Sequence, residues 1–213
     1  LCYSFQLYAD FSGCVDICLG VSDMLGIRLA ENFHSPYLAG SIKEFWSRWH
    51  ISLSSWLRDY IYIPLGGNRK GTPRKYGNLL LTFCVSGIWH GAGINFLVWG
   101  LLHGIYQIVG NCTATLRQRL KGRLGIQPDS LSDRFYKGFL TFHLTAFAWI
   151  FFRADGIGHA WNYIYQMFSG FSLWGMFNRA VTDCGLSEQH FVILLVHVAV
   201  LLLADRARLK GKP

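Results

Sequence analysis

His90 is an ionisable ring inside a stretch that can ill support one. From Leu79 to Gly110 the chain holds no Asp, Glu, Lys or Arg. Apolar runs beyond about 18 residues read as membrane-embedded. An imidazole placed there has no water to bond, and such residues mark function more often than not. The chemistry open to it is proton transfer, either as a base or as a relay. Gly87, Gly91 and Gly93 surround it and let a second backbone or a substrate come close. A plain helix–helix hydrogen bond is the competing explanation. His50 lies beside the apolar face of a tryptophan-rich segment, one turn after Trp46. Taken alone, it reads more readily as structural.

The elements that position these rings follow from the spacing. Leu1 to Ile27 reads as one embedded helix, broken near Phe11-Ser12-Gly13, with Asp10, Asp16 and Asp23 at regular distances. Asp10 and Asp16 must then face protein or a wet cavity. Glu31 to Gly40 is a loop with His34 exposed. Ser41-x-x-Glu44 is a capping box. Behind it Ile42, Phe45, Trp46, Trp49, Leu53, Trp56, Leu57, Tyr60 and Ile61 recur at helical spacing. One interfacial or half-buried helix is expected there, ending at Pro64. Leu65 to Lys75 is a glycine-rich basic turn, either a cytoplasmic anchor or an anion site. The run from Leu79 to Gly110 would make a straight helix of about 48 Å, against a hydrocarbon core of about 30 Å. A broken pair hinged between Gly87 and Asn95 fits better, with His103 a second buried polar group. Arg117 to Lys137 reads as a polar loop or surface helix. Gly138 to Phe152 reads as a span stopped by Arg153, with His143 a helix–helix contact. His159 to Phe171 reads as interfacial, and Arg153 to Gln189 as an outer loop with few cations. His190 to Ala204 is the last span, and basic residues follow it on the inner side.

Composition agrees. Of 213 residues, 52% are hydrophobic and 15% charged, against about 25% charged in soluble chains. The net charge of +8 sits in short loops between apolar runs, which speaks for membrane topology and against nucleic-acid binding. The six cysteines form no C-x-x-C pair and serve as small hydrophobes, so no metal site is expected. Leu1 rather than Met opens the chain. The expectation is a single all-α, polytopic membrane domain over residues 1–213, with transmembrane and re-entrant helices, forming the C-terminal portion of a longer chain.

Five segments in order carry a resemblance: FQLYADFSGCVDICLG (5–20), ENFHSPYL (31–38), EFWSRWHISLSSWLRDYIYIPLGGNRKG (44–71), SGIWHGAGINFLVWGLLHG (86–104) and WIFFRAD (149–155). Together they resemble the membrane-bound O-acyltransferases, and most closely the bacterial alginate O-acetyltransferase branch. The D-alanyl transferases of teichoic acid synthesis resemble the chain less, because they usually lack the PLGGNRKG turn. Cys14 and Gly93-Ile94 depart from the alginate pattern. The resemblance implies a multi-pass protein of the bacterial cytoplasmic membrane with His90 at the neck of a funnel and His50 as the second histidine. It implies an acyl donor, acetyl-CoA or another thioester, as co-substrate, with no permanently bound cofactor. The acceptor would be a hydroxyl of an extracytoplasmic polysaccharide or of an acetyl-transferring partner protein.

On that reading His90 is the base that takes the hydroxyl proton during attack on the thioester, a contribution of about 10²–10⁴-fold. His50 orients His90 or the donor, or steadies the oxyanion. Asp10, Trp46, Arg48, Trp89 and Asn95 are candidate substrate contacts. D-alanyl transfer is the alternative within catalysis. A transporter with a His90–Asp10 proton relay, or a scaffold of a polysaccharide export complex, is the alternative outside it.

Overall fold

The computed structural model describes residues 1–170, 187–209 and 211. Its regular elements among those residues are helices, and an isolated antiparallel bridge joins Phe33 to Trp49. The order is α1 (Cys2–Met24), a 3₁₀ turn (Pro36–Leu38), α2 (Ile42–Arg48) and α3 (Ile51–Leu57) with a wide π turn after it (Arg58–Tyr62). There follow α4 (Gly71–His90), α5 (Ile94–Cys112), α6 (Ala114–Arg123), α7 (Leu131–Arg153), α8 (Ile157–Ser169) and α9 (Glu188–Leu209).

The uncharged run is a helical hairpin, as its length requires. α4 ends on His90 itself, and α5 begins three residues beyond Gly91. Glycines allow the two backbones to meet. A Cβ on Gly87 would strike the Phe96 carbonyl oxygen, and one on Gly100 would strike that of Phe83. Asn95 sits in the first turn of α5, buried, and its Nδ2 donates to the carbonyls of Phe151 (3.2 Å) and Ala154 (3.1 Å). That amide ties the hairpin to the end of α7, where carbonyls lack intrahelical partners.

Two sequence expectations are corrected. α1 runs without a break through Phe11-Ser12-Gly13, and among the described residues no other element packs close against Gly13 to require the missing side chain. The segment from Ser41 to Ile61 is two helices, not one, and the break falls at Trp49-His50. Each seven-residue helix is about 10 Å long, too short to cross a bilayer by itself. The capping box is present with one shift: Ser41 Oγ accepts from Glu44 N (3.1 Å), while the Glu44 carboxylate takes Gly40 N (2.7 Å).

The core is aromatic. Tyr8, Phe33, Tyr37, Phe45, Trp46, Trp49, Phe83, Trp99 and Trp149 are buried in one cluster that α1, α2, α4, α5 and α7 share. Below it, Asp133 at the start of α7 bonds Lys121 of α6 and Lys137 (2.8 Å). Those ammonium groups hold its carboxyl well below the usual carboxylate range.

Among the described residues one helix, Gln189–Leu209 within α9, is long and apolar enough to cross a membrane, with a mean hydropathy of 1.9. The others dilute their hydropathy with polar residues turned inward: Asn95 and His103 on α5, Thr141 and Thr145 on α7 are all buried. Their exposed faces carry large apolar side chains, although Asp10, Asp16 and Asp23 of α1 are exposed as well. Ile17, Val21 and Met24 of α1, Phe135 and Phe139 of α7, and Val192, Val196 and Val200 of α9 are exposed. His143 is exposed too, with Nδ1 on its own Phe139 carbonyl at 2.8 Å rather than on another helix. α8 is amphipathic, as expected of an interfacial helix. The part of the outer-loop reading that falls on 171–186 lies outside the described residues.

Candidate active site

His50 is held by its backbone. It occupies the left-handed region (φ 45°) between α2 and α3, a conformation that costs a non-glycine residue about 1–3 kcal/mol. The loop from Asn32 to His34 pins it from both sides. His34 N donates to Arg48 O (3.0 Å), and Ile51 N donates to Asn32 O (3.1 Å). Asn32 then substitutes for the missing cap of α3: its Oδ1 accepts from Ser52 N (3.1 Å) and Ser52 Oγ (2.6 Å). His50 Nδ1 lies 3.4 Å from the same oxygen. An amide oxygen only accepts, so Nδ1 carries the proton and Nε2 keeps its lone pair.

His90 reaches the same place from α4. Its ring meets Trp89 (4.8 Å between centroids), Trp99 (5.0 Å) and Phe152 (5.2 Å) edge-on. The Trp89 ring also lies 6.1 Å from His50. One indole thus touches both imidazoles, although they are forty positions apart in sequence. Phe11 closes the far side of His50 at 4.9 Å. Both histidines are half-buried, and Trp89 is 58% exposed. The site is a pair of imidazoles in an aromatic cup with one open side. Among the described residues the His90 nitrogens take no protein hydrogen bond, which leaves a lone pair free for a proton from outside the chain.

The remaining candidates divide. Trp89 joins the histidines. Trp46 is buried one layer behind, 5.7 Å from Trp99 and 5.1 Å from His103. Arg48 pairs with Glu44 (2.5 Å) and Ser35 O (3.4 Å), which braces α2. Asn95 braces α5, as described. Asp10 lies on the exposed face of α1, and its neighbour Phe11 faces the site instead. Sequence reasoning missed Phe11, Asn32, Trp99 and Phe152. All four lie in segments singled out above, but nothing in their type marks them as site residues.

A half-open cavity of about 470 Å³ lies beside Asn32, lined by the polar Asp16, Glu31, His34 and Arg208 and by the apolar Val15, Leu19 and Phe33, with Arg208 3.6 Å from Asp16. Asn32 both lines this cavity and meets the His50 ring.

Comparison with known proteins places these features in a wider set. The profile of the membrane-bound O-acyltransferase family matches residues 1–124. The probable alginate O-acetylase AlgI of Pseudomonas fluorescens is 44% identical over 96% of this chain and 39% of its own length. The peptidoglycan O-acetyltransferase of Helicobacter pylori is 43% identical over 75% of this chain and 29% of its own. The teichoic acid D-alanyltransferase of Bacillus subtilis is 29% identical over 74% and 40%. The chain spans at most about two fifths of the length of these relatives.

Proposed function

This chain belongs to the membrane-bound O-acyltransferase family, and from that premise we propose that it carries the transfer site of an enzyme that O-acetylates a cell-envelope polymer. The donor is a thioester such as acetyl-CoA, supplied from the cytoplasm. The acceptor is a hydroxyl on an extracytoplasmic polysaccharide or on a partner protein that passes the acetyl group on. The protein is a multi-pass resident of the bacterial cytoplasmic membrane. The observation that carries the reading is the convergence of His50 and His90 on one Trp89 ring within an aromatic cup.

The His90 nitrogen takes the acceptor's hydroxyl proton as the oxygen attacks the thioester carbonyl carbon. The tetrahedral oxyanion collapses, the ester forms, the C–S bond breaks, and the proton on His90 passes to the departing sulfur. No net proton is gained or lost by the enzyme. His50, with Nδ1 beside the Asn32 amide oxygen, orients the donor or His90. The cavity beside Asn32 offers an approach on that side. The aromatic walls keep bulk water from the thioester.

Acetyl transfer is favoured over D-alanyl transfer because relatives named for O-acetylation share 43–44% of residues and the D-alanyltransferase 29%. The test is full-length protein in proteoliposomes with labelled acetyl donor inside and a polysaccharide acceptor outside. Labelled acetyl ester on the acceptor supports the reading. Donor flux without ester formation would point to a transporter.

A further inference from the structure

Behind His90 the aromatic core contains polar atoms with nothing to bond. His103 on α5 is fully buried, and among the described residues neither ring nitrogen has a partner. The indole nitrogens of Trp46 and Trp99 are likewise buried and unpartnered, and that of Trp149 makes no full hydrogen bond although the Tyr37 hydroxyl stands near it. These residues pack around one ring: His103 lies 5.1 Å from Trp46, 5.3 Å from Trp99 and 6.3 Å from Trp149. They come from α2, α5 and α7. More than about nine in ten buried polar groups in folded proteins find a partner, so four orphaned side chains in one contact cluster require an explanation.

The inventory of atoms narrows it. An indole N–H only donates, and a neutral imidazole donates once and accepts once. Three indoles and one imidazole supply four donors and a single acceptor. The group that completes them must accept several hydrogen bonds, donate at least one and be small. Water meets that description, and buried waters typically make about three bonds to groups otherwise unsatisfied.

The same cluster touches the active site. Trp99 and His103 are four residues apart on one face of α5. The Trp99 ring meets His103 on one side and His90 on the other, at 5.3 and 5.0 Å. Whatever fixes the Trp99 indole fixes the wall against which His90 stands.

We propose that His103, with the indole N–H groups of Trp46, Trp99 and Trp149, encloses internal water, and that this hydrated cluster makes His103 a positioning residue for His90. His103 acts through Trp99 and touches neither substrate. The inference rests on the transfer reading above only for its catalytic half; the buried water stands or falls separately.

Two measurements on the full-length protein in lipid test it. The first is proton-detected NMR of the 15N-tryptophan-labelled protein, with peaks assigned by single Trp→Phe variants. Cross-peaks to water are expected at the buried Trp46, Trp99 and Trp149 indoles. Dry indoles at all three would overturn the proposal whatever the variants do. The second is the acetyl-transfer rate of His103→Phe and His103→Gln. Phe keeps the ring packing and removes both nitrogens, while Gln restores a donor and an acceptor. The expected result for His103→Phe is a kcat lower by about tenfold with donor KM unchanged, from a small misplacement of His90, and substantial recovery in His103→Gln. Full kcat in His103→Phe, or equal loss in both variants, would make His103 a packing residue and end the positioning claim. Transfer that survives His90→Gln alongside wet indoles would instead sink the base assignment while leaving the water cluster in place.

Discussion

Gly100→Ala tests whether close packing of the α4–α5 hairpin sets the geometry at His90. The added methyl would meet the Phe83 carbonyl oxygen far inside contact distance, with the Phe83 carbonyl carbon at 3.1 Å and Gly87 N at 3.2 Å. All three are backbone atoms, so no rotamer change relieves the clash. The helices must part by about 1 Å to reach ordinary contact. Overpacking of this kind costs about 1–3 kcal/mol, and the better helix propensity of alanine returns up to about 1 kcal/mol. A net loss of about 1–2 kcal/mol is expected. The neighbouring Trp99 moves with the backbone, away from or across His90. A 1 Å displacement at a reacting centre costs on the order of 10²-fold in rate. Gly110→Ala on the same helix is the control, because nothing lies within 4 Å of its added methyl. The assays are thermal unfolding in detergent and acetyl transfer in proteoliposomes. Gly100→Ala should unfold several degrees lower and lose most of its transfer, while Gly110→Ala should match wild type. Wild-type rate and melting in Gly100→Ala, or equal damage in both variants, would refute the argument.

Three further outcomes follow from single contacts. Asn95→Ala leaves the Phe151 and Ala154 carbonyls without the amide that satisfies them, so thermal unfolding should report a loss of about 1–3 kcal/mol, with transfer falling only as far as folded protein does. Ser41→Ala removes the oxygen that accepts from Glu44 N and should cost about 0.5–2 kcal/mol by the same assay. Asp133→Asn should destabilise the protein at neutral pH, because Lys121 and Lys137 depress the carboxyl's pKa in the folded state. A depressed carboxylate stabilises above its unfolded pKa of about 4 and loses that contribution as pH falls further. Melting curves of Asp133→Asn and wild type should therefore converge below about pH 4; a constant gap down to acid pH would count against the ion cluster.

Parts of this fold were legible because they rest on local sequence. The hairpin could be read from the length of the uncharged run and its glycines, and its hinge falls at Gly91 to Gly93 as expected. The capping box, the stop at Arg153 and the exposed basic α6 were equally local. The break at His50 was not, because apolar spacing runs on through both short helices with no Gly or Pro to interrupt it. The Asn32–His34 loop imposes it by pairing with the chain on either side, contacts fourteen or more positions away. Polarity alone did not show which side chains stand beside the histidines. Arg48 and Asn95 are spent on Glu44 and on the α7 carbonyls, while apolar Phe11 and Phe152 line the histidines. Which polar residue is occupied by the fold depends on carbonyls and carboxylates brought from elsewhere, and spacing within one helix does not show them.

The central claim is that His90 supplies the basic nitrogen for acyl transfer. Its most direct test is the initial rate of labelled acetyl transfer by full-length His90→Gln protein, reconstituted at the same level as wild type. Glutamine keeps a hydrogen-bonding side chain of similar reach but has no nitrogen that titrates in the useful range. The account predicts intact insertion and melting, with transfer reduced by about 10²-fold or more. A well-folded His90→Gln protein that transfers acetyl at the wild-type rate would contradict it.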